Sequence, residues 1–258
     1  MSWYPQLRSG SSVQLPFTRR RKWRRIENAL ESGELVYLDD THGGVVRWQM
    51  TYELLSDSEV SDLKSFFMAA RGKYGTFGFA DPLVNLAGGS EDLSRTEWSA
   101  GTMSRTGSNA DPVGGTSAWL VSNSSAGMQE LQQTIQVPGA VCCCFSFWVR
   151  SLASAAVVIR RDSVTTTVNA NSNWRRVWLS GTGSLASAAS TFAVQVPAGA
   201  SIEVWGFQIE TQPFPGKYMA ATVPAGVYLN TSFDQDELEI VATAPGLSSC
   251  NVKLISRL

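Results

Sequence analysis

"VVRWQMTYELLSDSEVSDLKSFFMAARGKYGTFGFADP", residues 45–82, carries the sharpest local signals in the chain. Its first eight residues alternate: Val46, Trp48, Met50 and Tyr52 fall on one face of a strand, Val45, Arg47, Gln49 and Thr51 on the other. Ser56-Asp-Ser-Glu59 has capping-box spacing, in which a serine and a glutamate three residues on each satisfy a free N–H of a helix's first turn. Val60, Leu63, Phe66, Phe67 and Ala70 then recur at helical spacing, and Gly72 is placed to end the helix. "FGFADP" returns to a strand with Phe77 and Phe79 on one face, closed by Asp81-Pro82. The reading is strand, helix, strand, with the one well-signalled helix of the chain.

Upstream, "FTRRRKWRRI" (residues 17–26) places six basic residues in seven positions around Trp23. As a strand it would carry Phe17, Arg19, Arg21, Trp23 and Arg25 on one face and Thr18, Arg20, Lys22, Arg24 and Ile26 on the other. Both faces are basic, and like charges aligned on a sheet repel, so an acidic neighbour is expected. The run is offset locally by Glu27, Glu31, Glu34, Asp39 and Asp40, and the whole chain has a formal net charge of -1. That balance argues against a nucleic-acid arm. It favours an assembly surface in which Arg19, Arg20, Arg21, Lys22, Arg24 and Arg25 meet acids. Asp234, Asp236, Glu237 and Glu239 in "FDQDELE" are the obvious supplier, from this chain or a second copy.

From about Leu86 the composition changes to Gly, Ser, Thr and Ala with short alternating runs such as "GTSAWLVS", "VCCCFSFWVRS", "WRRVWLSG" and "SIEVWGFQIE". Strands this short, separated by Gly/Ser/Asn/Pro turns, read as an antiparallel sandwich or jelly roll. After Tyr218, "GVYLNTSFDQDELEIVA" and "CNVKLIS" add two or three strands, so the fold class is mainly β. The longest apolar run, Val141 to Val149, is far below the roughly 20 residues of a bilayer span, and no membrane partner is expected. The opening Met1-Ser-Trp-Tyr-Pro lacks a signal peptide's basic and apolar regions, so a protein folded in a reducing cytoplasm is expected. Cys142, Cys143, Cys144 and Cys250 have neither disulfide-framework nor zinc spacing and read as small buried hydrophobes.

No catalytic constellation stands out. His42, the only histidine, lies in the turn-rich "DDTHGGVV" without a G-x-S-x-G elbow or a suitable cysteine context. Among the insertion's acids, Glu203 and Glu210 fall seven apart and would point to opposite faces of a straight strand, which does not suit a glycosidase pair. "GTGSLAS" (181–187) contains Gly-x-Gly without a Rossmann or Walker context and reads as a turn; no cofactor is expected. Asp92 and Asp111, in irregular loops, are the candidates for a structural calcium ion. Trp98 and Trp174, near turns, are the candidates for stacking on a sugar, whereas Trp148 and Trp205 sit inside strand-like runs that suit packing.

"TRRRKWRRIENALESGE" followed by "VVRWQMTYELLSDSEVSDLKSFFMAARGKYGTFGFADPLVNL" resembles bacteriophage tail proteins of the distal-tail and baseplate-hub type. The residues that carry it are the basic strand, the Arg-Trp strand, the short helix ending in Phe66-Phe67, and the Phe-x-Phe-x-Asp-Pro exit. The middle segment, with "EDLSRTEWSAG", "FSFWVRS", "NWRRVWLSG" and "VWGFQIETQPFPGKYMAA", resembles the carbohydrate-binding jelly rolls common in such proteins. The resemblance implies a tail-tube-like β-sandwich or barrel domain made of residues 1–87 plus 220–258, interrupted by a jelly roll over 88–219. It also implies a virion protein of the tail tip, assembled in the host cytoplasm. Its subunits would form a ring, expected to be a hexamer, that joins the tail tube protein to baseplate and hub proteins and displays modules toward host-surface polysaccharide. No nucleic acid would be touched beyond the tail lumen. A stand-alone lectin-like protein, or a glycan-cleaving tail accessory, is the alternative.

Overall fold

The computed structural model describes residues 1–40 and 43–257. In chain order the elements are β1 (Phe17–Lys22), β2 (Arg25–Ala29), β3 (Leu35–Asp39), β4 (Val45–Ser56), α1 (Asp57–Ala70), β5 (Phe77–Ala80), β6 (Ser104–Asn109), β7 (Ala118–Ser122), β8 (Gln129–Ile135), β9 (Cys143–Arg150), β10 (Ala155–Arg161), β11 (Val164–Ala170), β12 (Arg175–Gly181), β13 (Ser190–Val196), β14 (Ser201–Glu210), β15 (Val227–Phe233), β16 (Ile240–Ala244) and β17 (Leu247–Arg257). They form two compact units. One comprises Met1–Arg8, Ser12–Phe79 and Tyr228–Leu258, the other Ser9–Ser11 and Ala80–Val227.

The discontinuous unit is built on a six-stranded sheet in the order β1-β4-β17-β15-β5, with β16 also pairing onto β17, and carries a separate two-stranded pair, β2-β3. The alternation expected in β4 is present: Val46, Trp48, Met50 and Tyr52 are buried while Arg47, Gln49 and Thr51 are exposed. Helix α1 lays Leu63 into the core, with Val60, Phe66, Phe67 and Ala70 partly buried against it. Edge-to-face contacts of Phe66 with Phe77 (4.9 Å) and Phe67 with Phe233 (4.8 Å) tie the helix to the sheet. The helix thus supplies the apolar cover that a second sheet would otherwise provide. Among the described residues this unit is a sheet with a helix, and no closed barrel forms.

The helix begins as its residues dictate. Ser56 Oγ accepts from Glu59 N, and Ser56 N donates to Glu59 Oε2 at 3.0 Å. At the other end Arg71 (φ 54) enters the left-handed region one residue before Gly72 (φ 58), so the exit starts a residue earlier than the glycine alone suggested. Gly72 N then donates to Phe67 O, closing the last turn.

The basic run does not form one strand. It breaks at Trp23-Arg24 into β1, which pairs with β4 at the sheet's edge, and β2, which pairs only with β3. The β2–β3 hairpin is exposed over Arg25–Ala29 and residues 35–38, with Ile26 and Leu38 directly opposite each other and Asn28 opposite Val36 on the same face.

The second unit is a sandwich of a four-stranded sheet, β11-β10-β13-β8, and a five-stranded sheet, β12-β9-β14-β7-β6. Inward positions alternate as strands require: Phe145 and Phe147 of β9, Val157 and Ile159 of β10, Phe192 and Val194 of β13, and Phe207 and Ile209 of β14 are all buried. Eight of its nine strands lie in runs with apolar alternation; β6, "SRTGSN", has none. The unit begins at Ala80, ahead of the expected 88, and ends at Val227, beyond the expected 219. Hydrogen bonds explain the difference: Asp81 N donates to Gly226 O at 2.8 Å, joining the two ends of the unit. Asn85 Nδ2 donates to Phe207 O and Met219 O, Asn85 Oδ1 accepts from Ile209 N, and Leu86 N donates to Ile209 O.

Replacing Ser56 with Ala should cost about 1 kcal/mol of stability by removing the reciprocal cap, read as a lower denaturant midpoint. An unchanged midpoint would mean that solvent satisfies the first turn equally well.

Candidate functional sites

The outward face of the five-stranded sheet is set by cross-strand register. Trp205 pairs with Trp148, Arg176 with Trp148, Trp178 with Ser146, and Glu203 with Arg150. Between Trp205 and Gln208, β14 carries a bulge against β9, after which Gln208 faces Ser146 and Glu210 faces Cys144. Arg150, Ser146 and Cys144 lie on one face of β9, so Glu203 and Glu210 share the outward face. This corrects the expectation that they oppose each other: an extra residue in the strand shifts the alternation by one.

The middle of that face is closed by the chain's own segment 211–221. The Tyr218 ring lies 4.7 Å from Trp205 and 5.5 Å from Trp148. Its hydroxyl donates to Glu91 Oε1 (2.9 Å) and sits 3.1 Å from Ser90 Oγ, and burial raises its pKa. Gln208 donates to Lys217 O and accepts from Met219 N; Glu210 accepts from Gly216 N and Gln212 Nε2. Arg176 Nη1 donates to Gly216 O at 2.6 Å. The Trp148–Trp205 pair is therefore covered, as the packing reading of these two residues requires. Glu210 is spent on holding the cover.

One end of the same face stays open. Arg150 Nε (3.0 Å) and Nη2 (2.6 Å) both donate to Glu203 Oε2, and the guanidinium carbon lies 4.8 Å from the centre of the Trp174 ring. Glu203 in turn lines an open cleft of about 540 Å³ together with Leu120 and the loops around 151–156 and 197–201. Trp174 is half-buried beside that pair.

The other candidates lie elsewhere. Trp98 is 3% exposed, donates from Nε1 to Gly88 O and Gly89 O, and packs on Phe207, leaving no ring face for a sugar. Asp92 accepts from Ser94 Oγ and N, which lower its pKa. At Asp111 burial raises the pKa, but the N–H groups of Ser117, Gly115 and Val113 and the Ser117 hydroxyl outweigh it. Both carboxylates thus cap their own loops. Among the described residues no group of three His, Cys, Asp or Glu side chains could hold a metal ion. Cys143 and Cys144 are buried, and burial pushes each thiol up to about 12. His42 lies outside the described residues.

Of the expected assembly residues, Arg24 pairs with Asp40, Arg25 lies over Tyr37 (4.5 Å), Asp234 pairs with Arg47 and Asp236 with Lys73. Arg19, Arg20, Arg21 and Lys22 line the exposed edge strand β1, and Arg20 stands directly opposite Arg47. Glu237 and Glu239 are exposed beside β16, lining an open groove with Gln49, Val241, Asn251 and Lys253. The apolar hairpin face, Ile26, Val36 and Leu38, was not singled out from sequence, because its period-2 pattern equally fits a buried strand.

No protein-family model matches the chain, and no curated protein matches it. Solved structures do. A TmCBM61 structure in complex with beta-1,4-galactotriose is 13% identical, with a TM-score of 0.40, over 50% of this chain and 99% of that one. A family 22 carbohydrate-binding module of Clostridium thermocellum Xyn10B is 17% identical, TM-score 0.39, over 48% and 90%. The enzymatically active domain of tailspike protein 4 from bacteriophage CBA120 is 13% identical, TM-score 0.39, over 51% of this chain and 22% of that one.

Asp111→Ala should lower stability by about 2 kcal/mol, since charge-assisted hydrogen bonds are lost. Because folding lowers the Asp111 pKa, its contribution is full above the ordinary aspartate value of about 4 and is lost as pH falls through the folded value. The gap in melting temperature between wild type and variant should therefore shrink as pH drops below about 4. A gap that does not change with pH would show that the carboxylate's charge is not what holds the loop.

Proposed function

We propose that the sandwich unit binds carbohydrate and that the discontinuous unit mounts it, in several copies, on a larger assembly. The observation that carries the binding half is the open end of the five-stranded sheet. There a carboxylate, an arginine and an indole lie together beside a cleft, while the rest of the polar outward face is spent on internal hydrogen bonds. Such a mixture suits sugars, whose C–H faces need apolar or aromatic surface and whose hydroxyls need fixed polar partners. Weak single sites gain overall affinity when displayed in multiple copies.

The assembly half is supported by exposed apolar and charged surface on the discontinuous unit. An isolated two-stranded hairpin is marginal in water, yet β2–β3 exposes Ile26 (47%), Val36 (36%) and Leu38 (49%) on one face. Edge β1 is basic, and the rim of β16 carries Glu237 and Glu239. One copy's basic edge thus complements another's acidic rim, a head-to-tail contact of the kind that builds a ring when the rotation between copies closes. With the distal-tail resemblance of roughly residues 13–86, the setting we favour is the tip of a phage tail, where the ring would join tube to baseplate. No reaction is assigned: Glu203 and Glu210 are each engaged by internal partners.

Sedimentation of the purified protein in low salt should show oligomers. Reversing Arg19, Arg20 and Arg21 to Glu should shift them toward monomer, and raising the salt on wild type should do the same. Val36→Ser with Leu38→Ser should dissociate them regardless of salt. A wild-type protein that stays monomeric at high concentration and ignores tail tubes would sink the assembly half. A glycan array that shows no binding would sink the other.

A further inference from the structure

We propose that the cleft at the end of the sandwich is a binding site for a neutral pyranose, with Glu203 Oε1 as its central hydrogen-bond acceptor. This rests on the carbohydrate-binding reading and names its site and ligand class.

The cleft has a cause in the topology. β10 and β13 pair only from Val158 opposite Gln195 to Arg161 opposite Phe192, while β10 starts at Ala155 and the chain after Val196 turns into Pro197. The two strands part, and a space of about 540 Å³ opens between Ser151–Ala156 and Pro197–Ser201, floored by Leu120 and Glu203. This falls within the usual size of small-molecule sites, roughly 300–1,000 Å³.

Its walls are held before any ligand arrives. Asn123 Nδ2 donates to Val196 O and Pro197 O, and Asn123 N donates to Ala200 O. On the facing wall Ser151 N donates to Asn171 O, and Ser151 Oγ donates to Ser201 O at 2.8 Å, linking the two walls. A site fixed in this way does not lose ordering entropy on binding.

The chemistry of the lining is selective. Both Arg150 hydrogen bonds go to Glu203 Oε2, and Oε1 has no hydrogen-bond partner among the described residues, so a carboxylate oxygen stands open at the floor. Arg150, carrying Trp174 on its face, holds that carboxylate in place. Leu120, Leu152, Ala153, Ala156, Pro197 and Ala198 supply short apolar surface, and Leu152 is 81% exposed. A ligand with hydroxyl donors on one side and C–H groups on the other meets both kinds of surface. An acidic sugar would bring its charge to a carboxylate in a lining that contains no lysine or arginine.

The test uses the full-length protein and immobilised trisaccharides of three classes: neutral hexoses, hexosamines and uronates. Neutral hexoses are expected to bind best. Ala156→Arg, at an exposed position, fills the cleft and should reduce that binding at least tenfold. Glu203→Gln should keep its amide oxygen on Arg150, turn the open acceptor into a donor, and weaken binding roughly tenfold. Trp178→Ala, on the edge strand outside the cleft, should leave it unchanged, and circular dichroism checks that each variant is folded. Neutral-sugar binding that survives Ala156→Arg overturns this site while leaving the carbohydrate reading intact. Preference for uronates overturns the ligand class, and no binding to any class overturns both.

Discussion

Between Trp205 and Gln208, β14 takes an extra residue against β9, and Gly206 at φ 67 makes the step possible. A Cβ there would meet the Trp148 ring at 3.1 Å and Tyr218 at 3.2 Å, and the left-handed backbone would strain any other residue. The consequences run in both directions from this point. Inward, Phe207 and Ile209 enter the core beside Phe145 and Phe147. Outward, Gln208 and Glu210 become the anchors for segment 211–221, while Glu203 and Trp205 keep the outward phase of the first half of the strand.

The bulge therefore divides one sheet face into two regions with different fates. On its far side, polar groups are consumed in securing Tyr218 over the two indoles, which turns a surface with every appearance of a stacking platform into packed interior. On its near side, the ion pair of Arg150 and Glu203 leaves polar capacity unspent beside an opening between strands. Buried polar groups demand partners. Where the chain itself supplies them all, little is left for a ligand; at Glu203 it satisfies one carboxylate oxygen and leaves the other beside the cleft.

The discontinuous unit follows a different constraint. Its sheet is covered by one short helix, and apolar side chains from α1, β5 and β15 meet in a tight group of aromatic contacts. What the unit does not cover is its periphery: a basic edge strand, an acidic rim and a hairpin with apolar residues in solvent. Edges of this kind are ordinarily blunted or paired, because an open ladder invites another chain. Here β1 carries exposed basic side chains and the rim beside β16 exposed acidic ones, and the proposed contact between copies rests on that contrast.

Much of this could be read from residues alone where signals are local. The capping box at Ser56 and Glu59, the alternation of β4, the inward phenylalanines of β5 and eight of the nine sandwich strands each depend on periods of a few residues. These periods report directly on which face meets water. Features that depend on distant partners could not be read in this way. The buried place of Trp98 comes from carbonyls at Gly88 and Gly89 and from Phe207 far along the chain; the shared face of Glu203 and Glu210 comes from a bulge that no alternation announces; and the break of the basic run at Trp23 reflects β4 pairing with only part of it. Sequence determined the mainly β composition, the helix and the charge segregation, since these rest on local spacing and side-chain chemistry. Tertiary structure alone decided which tryptophans see solvent and which carboxylate keeps an open oxygen, because hydrogen-bond satisfaction is settled only when remote segments come together.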